Sequence, residues 1–195
     1  MSCNTMNTDA APSEHIIKNI EAVKTLFLQA GAVCVVKEYT CIAKDSGEKI
    51  THANLFVVPQ NTTGPYILFQ GHIDTVPFSG AYKFKLTKTM LTGRGSVDMK
   101  GPLAGSIDAF LRLCKTRTWT VPPALLITGD EEANGFVGIK TFLDKPHPEI
   151  LFCINGEPTN LHIGSHLYGV IGYRVIRAGN VGHSAFPEKN LLIED

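Results

Sequence analysis

The sequence predicts an α/β fold in which helices cover a mostly parallel sheet. Helical and strand-like patterns alternate along the chain, and this order is typical of α/β layers. Hydrophobic residues make up 44% of the 195 residues, which is enough for a buried core. Ligands of such sheets bind beyond the carboxyl ends of the strands. Polar residues that directly follow predicted strands are therefore the candidates for function.

A helical spacing of apolar residues and short apolar or β-branched runs predict the helices and strands. A helical stripe begins after Ser13 and ends at Gly31, and its apolar positions are Ile16, Ile17, Ile20, Val23, Phe27 and Ala30. Pro102 fits the first turn of a second helix, and a third covers 135–143. Short apolar or β-branched runs predict six strands: Val33–Tyr39, Asn54–Val58, Tyr66–Gln70, Ala124–Thr128, Ile150–Ile154 and Leu167–Ala178.

Composition excludes several classes of protein. Lys plus Arg and Asp plus Glu both number 18, so no basic excess favours nucleic acid. No apolar run approaches the roughly 18 residues of a membrane span, and the N-terminus lacks the pattern of a secretory signal. The five cysteines are scattered and form no CxxC pair. This usage predicts a reducing compartment, and we expect the cytoplasm.

Acidic residues and one histidine follow the ends of three predicted strands. His72 and Asp74 follow the strand Tyr66–Gln70, and Asp98 lies just before the second helix. Glu131, Glu132 and Glu157 are placed in the same way: the first two follow Ala124–Thr128, and the third follows Ile150–Ile154. If these strands are parallel, the side chains converge on one edge of the sheet. One imidazole with several carboxylates suits divalent cations, zinc included.

Each of these residues also has a simpler interpretation. A lone His72 is more often a core histidine, but Asp74 two residues later faces the same way and is placed to hold its second N–H. Asp98 resembles a helix N-cap, although Pro102 at the first position would place Gly101 at the cap. Glu131 and Glu132 suit a helix N-terminus, and Glu157 suits a turn. Their shared placement favours a metal site.

Five ordered motifs resemble one known family. They are GHIDTVP (71–77), GRGSVDMKG (93–101), GDEE (129–132), GEPT (156–159) and GHSAFP (182–187). Together they are similar to the zinc aminoacylase and carboxypeptidase family that includes acetylornithine deacetylase and succinyl-diaminopimelate desuccinylase. The resemblance implies a three-layer α/β/α domain with a mostly parallel mixed sheet, followed by a small α+β lid domain. We accordingly expect a flexible tail at 1–12, the catalytic domain at 13–165 and the start of the lid at 166–195.

The resemblance also implies a role for each residue. One zinc would be held by His72, Asp98 and Glu157, and a second by Asp98 as the bridge and Glu132; cobalt or manganese is an alternative. Glu131 would be the general base of a metal-activated water that cleaves the amide bond of an N-acyl amino acid or small peptide. Extended neighbours point in opposite directions, so we expect one of Glu131 and Glu132 to bind metal and the other to face the water. His183 would reach across a homodimer to stabilise the oxyanion.

The family pattern is not complete in these residues. Family members are about twice this long, and the segment that carries the last histidine of the second metal site is absent, unless His162 or His166 replaces it. We therefore expect about one tightly bound zinc per chain and little hydrolysis. Two other interpretations stay open: a truncated remnant that binds metal or a partner without turnover, and a binding protein whose acids are plain surface charges.

Overall fold

The computed structural model describes residues 14–42, 47–76, 84–134, 136–166 and 169. The predicted tail 1–12 and His183 lie outside these residues, as does the predicted strand over 167–178 apart from Gly169. The chain divides into two compact units, Met1–Leu161 and His162–Asp195. The predicted boundary between a catalytic domain and a lid at residue 165 stays a prediction.

The first unit contains four helices and seven strands among the described residues. The helices are α1 (Glu14–Gln29), α2 (Lys100–Thr116), α3 (Glu131–Asn134) and α4 (Val137–Leu143). The strands are β1 (Ala32–Ile42), β2 (Lys49–Pro59), β3 (Tyr66–His72), β4 (Lys85–Leu86), β5 (Leu91–Thr92), β6 (Pro123–Thr128) and β7 (Ile150–Asn155). No helix in this part of the chain has both the length and the apolar character that a membrane span requires.

Five strands form one mixed sheet in the order β1-β2-β6-β3-β7. β3 lies between β6 and β7 and is parallel to both. β2 is antiparallel to β1 and to β6, so four strands run in one direction and β2 alone runs against them. β4 and β5 form a separate antiparallel pair. This arrangement confirms the predicted α/β fold.

Helices cover both faces of the sheet around β6, in which every residue is buried. Leu125 and Ile127 of β6 pack in one apolar cluster with α1 and α2, where Phe27 and Phe110 meet edge to face with ring centroids 5.5 Å apart. Leu126 lies in a second cluster, on the face that α4 covers. The alternation of side chains along a strand explains why consecutive residues enter different clusters.

The edge strand β7 differs from β6, because five of its six residues are exposed. Leu151, Phe152 and Ile154 are exposed by 56%, 62% and 41%. β7 pairs with β3 on one side only within the described sheet. An apolar strand at a sheet edge is a surface that favours pairing with another chain.

Two predicted helix starts are wrong. The second helix begins at Lys100, so Met99 and not Gly101 is the N-cap. Pro102 fits in the first turn because none of the first four N–H groups of a helix has a partner within the helix. The helix predicted from residue 135 begins at Val137, and the acids before it form the separate turn α3.

Candidate metal centre

The carboxyl ends of three neighbouring strands bring the predicted acids together. β3 ends at His72, and Asp74 follows two residues later. Glu131 and Glu132 begin α3 just after β6, and Glu157 lies two residues beyond the end of β7. Because β3, β6 and β7 are parallel and adjacent, these ends lie side by side.

The imidazole of His72 is at the centre of the cluster. Its Nε2 lies 3.2 Å from Asp98 Oδ1, 3.6 Å from Glu157 Oε1 and 3.9 Å from Glu131 Oε2. Two sets of potential ligand atoms each lie within 4.8 Å of one another: His72 with Asp98 and Glu132, and His72 with Glu131 and Glu157. His72 is common to both sets, whereas the resemblance makes Asp98 common to both metals. Which acids share a metal stays a prediction.

Asp74 is fully buried and contacts His72 from the other side. The Nδ1 atom of His72 lies 3.0 Å from the backbone oxygen of Asp74 and 3.4 Å from its Oδ1. The Asp74 carboxylate also accepts the backbone N–H groups of Glu131 and Glu132, at 3.2 and 2.9 Å. Asp74 therefore orients the imidazole so that Nε2 faces the acids, and it fixes the first turn of α3.

Asp98 is positioned by its neighbour Met99, which sequence reasoning missed. Met99 is 1% exposed, and its Sδ accepts the N–H of His72 at 3.2 Å. A Cβ atom at Gly71 would lie 2.8 Å from Met99 Cε, and one at Gly156 would lie 3.0 Å from it. The glycines of two motifs thus make room for Met99, and they are the signal from which it could have been found.

The expectation that Glu131 and Glu132 point in opposite directions assumed an extended chain, and that assumption is wrong. Both residues lie in the helical turn α3 and not in extended chain. Neighbours on an α-helix are rotated by roughly 100° and not by 180°. The turn forms here because Asp74 accepts both N–H groups that a helix start leaves without a partner.

Burial and mutual repulsion set the charge of the cluster. Burial raises the pKa of Glu131, Glu132 and Glu157, the charge of His72 lowers it, and the neighbouring carboxylates raise it again. Burial lowers the pKa of His72, but the hydrogen bond and charge of Asp74, with the charges of Glu157 and Glu131, outweigh it and raise the pKa to about 9. A divalent cation would replace the proton on His72 and offset the repulsion between the acids. The donor set therefore fits such an ion.

A cavity of about 170 Å³ lies beside the cluster. Glu131 and Glu157 line one part of it, and Gln70, Asn155 and Phe136 are among its other walls. Carboxylate, amide and aromatic groups thus line one small cavity next to the acids.

Three histidines from the sequence analysis lie either outside the described residues or in the second unit. His183 lies outside the described residues, and His162 and His166 belong to the second unit. His166 Nδ1 lies 2.8 Å from Ser165 Oγ. The role of His183 stays a prediction, and the spacing of His162 and His166 does not favour either of them as the missing ligand.

Comparison with known proteins identifies a family and several relatives. The sequence model described as peptidase family M20/M25/M40 matches residues 68–189, which is more than half of the chain. A succinyl-diaminopimelate desuccinylase of Gluconacetobacter diazotrophicus is 36% identical over 142 residues, which are 65% of this chain and 37% of that protein. An acetylornithine deacetylase of Pasteurella multocida is 40% identical over 132 residues, 64% of this chain and 34% of that protein.

A solved structure supports the fold. Human carnosine dipeptidase 1 superposes with a TM-score of 0.52 at 20% identity, over 67% of this chain and 29% of that one. The chain spans about a third of the length of the curated relatives it matches.

Proposed function

Because this chain belongs to peptidase family M20/M25/M40, we propose that it holds the metal centre of a hydrolase that cleaves amide bonds of N-acyl amino acids or small peptides. The observation that supports this most is the cluster around His72 Nε2, in which carboxylate oxygens from three separate segments of the chain lie within 3.9 Å. Zinc is the expected metal, since imidazole and carboxylate are its usual ligands besides thiolate. Cobalt and manganese accept the same donors.

In this proposal Asp98 would serve both ions, and each of the other acids would have one task. His72, Asp98 and Glu157 hold one ion, and Asp98 and Glu132 contribute to a second. When bound, divalent ions supply Lewis acidity, which lowers the pKa of a water molecule and polarises an amide carbonyl. Glu131 takes a proton from that water and delivers it to the amine as the amide C–N bond breaks, so the products are a carboxylic acid and an amine. Asp74 keeps the His72 ring in the tautomer that presents Nε2 to the acids.

The class of substrate is inferred from the relatives. Their names describe removal of a succinyl group from diaminopimelate and of an acetyl group from ornithine. Both reactions hydrolyse an amide at the amine of an amino acid. We propose the same bond type for this chain, with the acyl group left open.

The test begins with metal, because the chain contains most of the proposed ligands. Residues 1–195 are purified, zinc is counted by elemental analysis, and amine release is followed with N-acetylornithine and N-succinyl-diaminopimelate. We expect about one zinc per chain and slow amine release. A chain without stoichiometric zinc would contradict the proposal and favour the interpretation of plain surface acids. Zinc without any turnover would support the remnant that binds metal only.

The role of Glu131 is tested with Glu131→Gln against the matched control Glu149→Gln, whose side chain is exposed on a loop. Glu131→Gln should keep its zinc and lower the rate of amine release by about 10² or more, the scale of a lost general base. Glu149→Gln should change neither. Loss of zinc from Glu131→Gln would make Glu131 a ligand and Glu132 the candidate base.

A further inference from the structure

A buried polar network lies behind the metal centre and is centred on Asp130. The Asp130 side chain is 1% exposed, and its carboxylate accepts three kinds of hydrogen bond. Tyr39 Oη donates to Oδ1 at 2.8 Å, and the backbone N–H of Gly138 lies 3.1 and 3.0 Å from the two oxygens. Cys41 Sγ donates to Oδ2 at 3.7 Å. One carboxylate thus joins β1 to both ends of the segment 130–138.

The same segment carries two residues of the proposed metal centre. Glu131 and Glu132 lie directly after Asp130, and Gly138 is the second residue of α4. Asn54 Nδ2 of β2 donates to Gly138 O at 2.8 Å, which fixes the far end of the segment from a second strand. The near end is fixed by Asp74, whose carboxylate accepts the backbone N–H groups of Glu131 and Glu132.

The turn α3 cannot hold this geometry by itself. It has four residues, and helices much shorter than about 12 residues are not stable in isolation. The direction of the Glu131 and Glu132 side chains therefore depends on what fixes the two ends of the segment. Burial and the charge of Asp130 raise the pKa of Tyr39 well above its ordinary value, so its hydroxyl stays a hydrogen-bond donor.

The space at Gly138 shows how closely the network is packed. A Cβ atom at Gly138 would lie 2.5 Å from both Asp130 Oδ1 and Tyr39 Oη, which is too close for any side chain. A residue other than glycine would displace one of the two groups.

We propose that Tyr39 and Asp130 are positioning residues that hold Glu131 and Glu132 at the metal centre. The effect on metal binding rests on the proposed function. The claim that Tyr39 and Asp130 hold the segment 130–138 in place does not depend on it. Replacing a group that hydrogen-bonds directly to a metal ligand typically costs about 10–100-fold in metal affinity. Tyr39 and Asp130 hold the segment that carries Glu132 and not its carboxylate, so we expect the lower end of that range. A residue with a purely structural role would lower stability without changing affinity.

Tyr39→Phe is the test, and Tyr66→Phe is its matched control. Both tyrosines are buried, at 8% and 3% exposure, and both hydroxyls donate one hydrogen bond, because Tyr66 Oη donates to Thr62 O at 2.9 Å. Tyr66 begins β3, at the opposite end of that strand from His72. The comparison therefore removes the same hydroxyl group at two places, from a carboxylate acceptor at Tyr39 and from a backbone carbonyl at Tyr66.

Two measurements are made on residues 1–195. In the metal-free chain, Tyr39→Phe should speed amide hydrogen exchange at Gly138, Glu131 and Glu132, and Tyr66→Phe should not. With Co²⁺ as the probe, Tyr39→Phe should lower the affinity for the second ion, to which Glu132 contributes, by up to about 10-fold and alter the visible absorption spectrum of that ion, whereas the ion assigned to His72, Asp98 and Glu157 should be retained. Tyr66→Phe should leave both unchanged. Asp130→Asn should speed the same amide exchange and lower the same Co²⁺ affinity more than Tyr39→Phe does. It changes the acceptor that Tyr39, Cys41 and Gly138 share.

The outcomes distinguish failure of the proposed function from failure of the positioning role. If the wild-type chain binds no Co²⁺, the proposed function fails, and the exchange data alone decide whether Tyr39 and Asp130 hold the segment. If Co²⁺ binds but the two Tyr→Phe variants behave alike in exchange, affinity and spectrum, the positioning role is overturned and the proposed function is untouched.

Discussion

Two histidines, His52 and His72, are equally buried, and yet their pKa values are shifted in opposite directions. Each is 1% exposed. His52 lies within β2, paired in register with Tyr39, and the two rings are 6.1 Å apart. His72 ends β3 and faces Asp98, Glu131 and Glu157. The pKa of His52 is lowered, chiefly by burial, whereas that of His72 is raised to about 9.

The difference shows that burial alone does not set the direction in which the pKa of a histidine shifts. Desolvation acts on both rings and disfavours the charged form of each. Only at His72 do enough carboxylates face the ring to reverse the shift, and they do so because parallel neighbours end at the same edge of the sheet. His52 lies on the one strand that runs against the others, level with the carboxyl end of β6, but the charges that raise its pKa, those of Asp130 and Asp74, do not outweigh its burial.

The largest effect on stability is expected from Asp74, the buried carboxylate beside the His72 ring. Asp74→Ala removes the buried carboxylate that faces the His72 ring and accepts the N–H groups of Glu131 and Glu132. We expect the free energy of unfolding of the metal-free chain, measured with urea at pH 7, to fall by about 3 kcal/mol. The control Asp108→Ala removes an exposed ion pair with Arg112 and should cost less than about 0.5 kcal/mol. Equal losses from both changes would mean that Asp74 does not hold the site together.

A smaller effect is expected from pH, with opposite sign at the two histidines. The raised pKa of His72 gives stability that is complete below the unfolded value of 6.5 and is lost as the pH rises through about 9. The lowered pKa of His52 gives stability that is present above 6.5 and is lost as the pH falls below it. Each proton changes the free energy of unfolding by at most about 1.4 kcal/mol per pH unit.

Ring signals in the NMR spectrum of the metal-free chain measure this directly. His72 should titrate with a midpoint near 9 and His52 with a midpoint below 6.5. His52→Gln identifies the second signal and should remove the acid loss of stability. Midpoints on the same side of 6.5 would remove the distinction between the two rings.

Local sequence predicted much of the fold, and the contacts that it missed at the site join residues far apart in the chain. The strands at Tyr66, Ala124 and Ile150 start within one residue of their predicted positions, because apolar runs bounded by turn residues are a local signal. The convergence of the acids followed from strand direction. The start of α3 was missed because it depends on Asp74, 57 positions away from Glu131.

The Asp130 network was missed for the same physical reason. Tyr39 and Asp130 are 91 positions apart, and neither periodicity nor spacing relates them. Met99 was also overlooked, because its contact with His72 spans 27 positions. Contacts that position a site are made by the fold, so they become visible only when the strands are placed beside one another.

The central claim is that His72, and not burial or histidine chemistry in general, makes this edge of the sheet a metal site. Zinc titration by calorimetry of the wild-type chain, His72→Ala and His52→Ala tests it most directly, because both variants remove a ring of equal burial. We predict that His72→Ala loses more than about 100-fold in zinc affinity, since losing a ligand costs more than losing a ligand's hydrogen-bond partner. His52→Ala should lose less than about 10-fold on the same scale. Equal affinities of the two variants, or tight zinc binding by His72→Ala, would contradict the account.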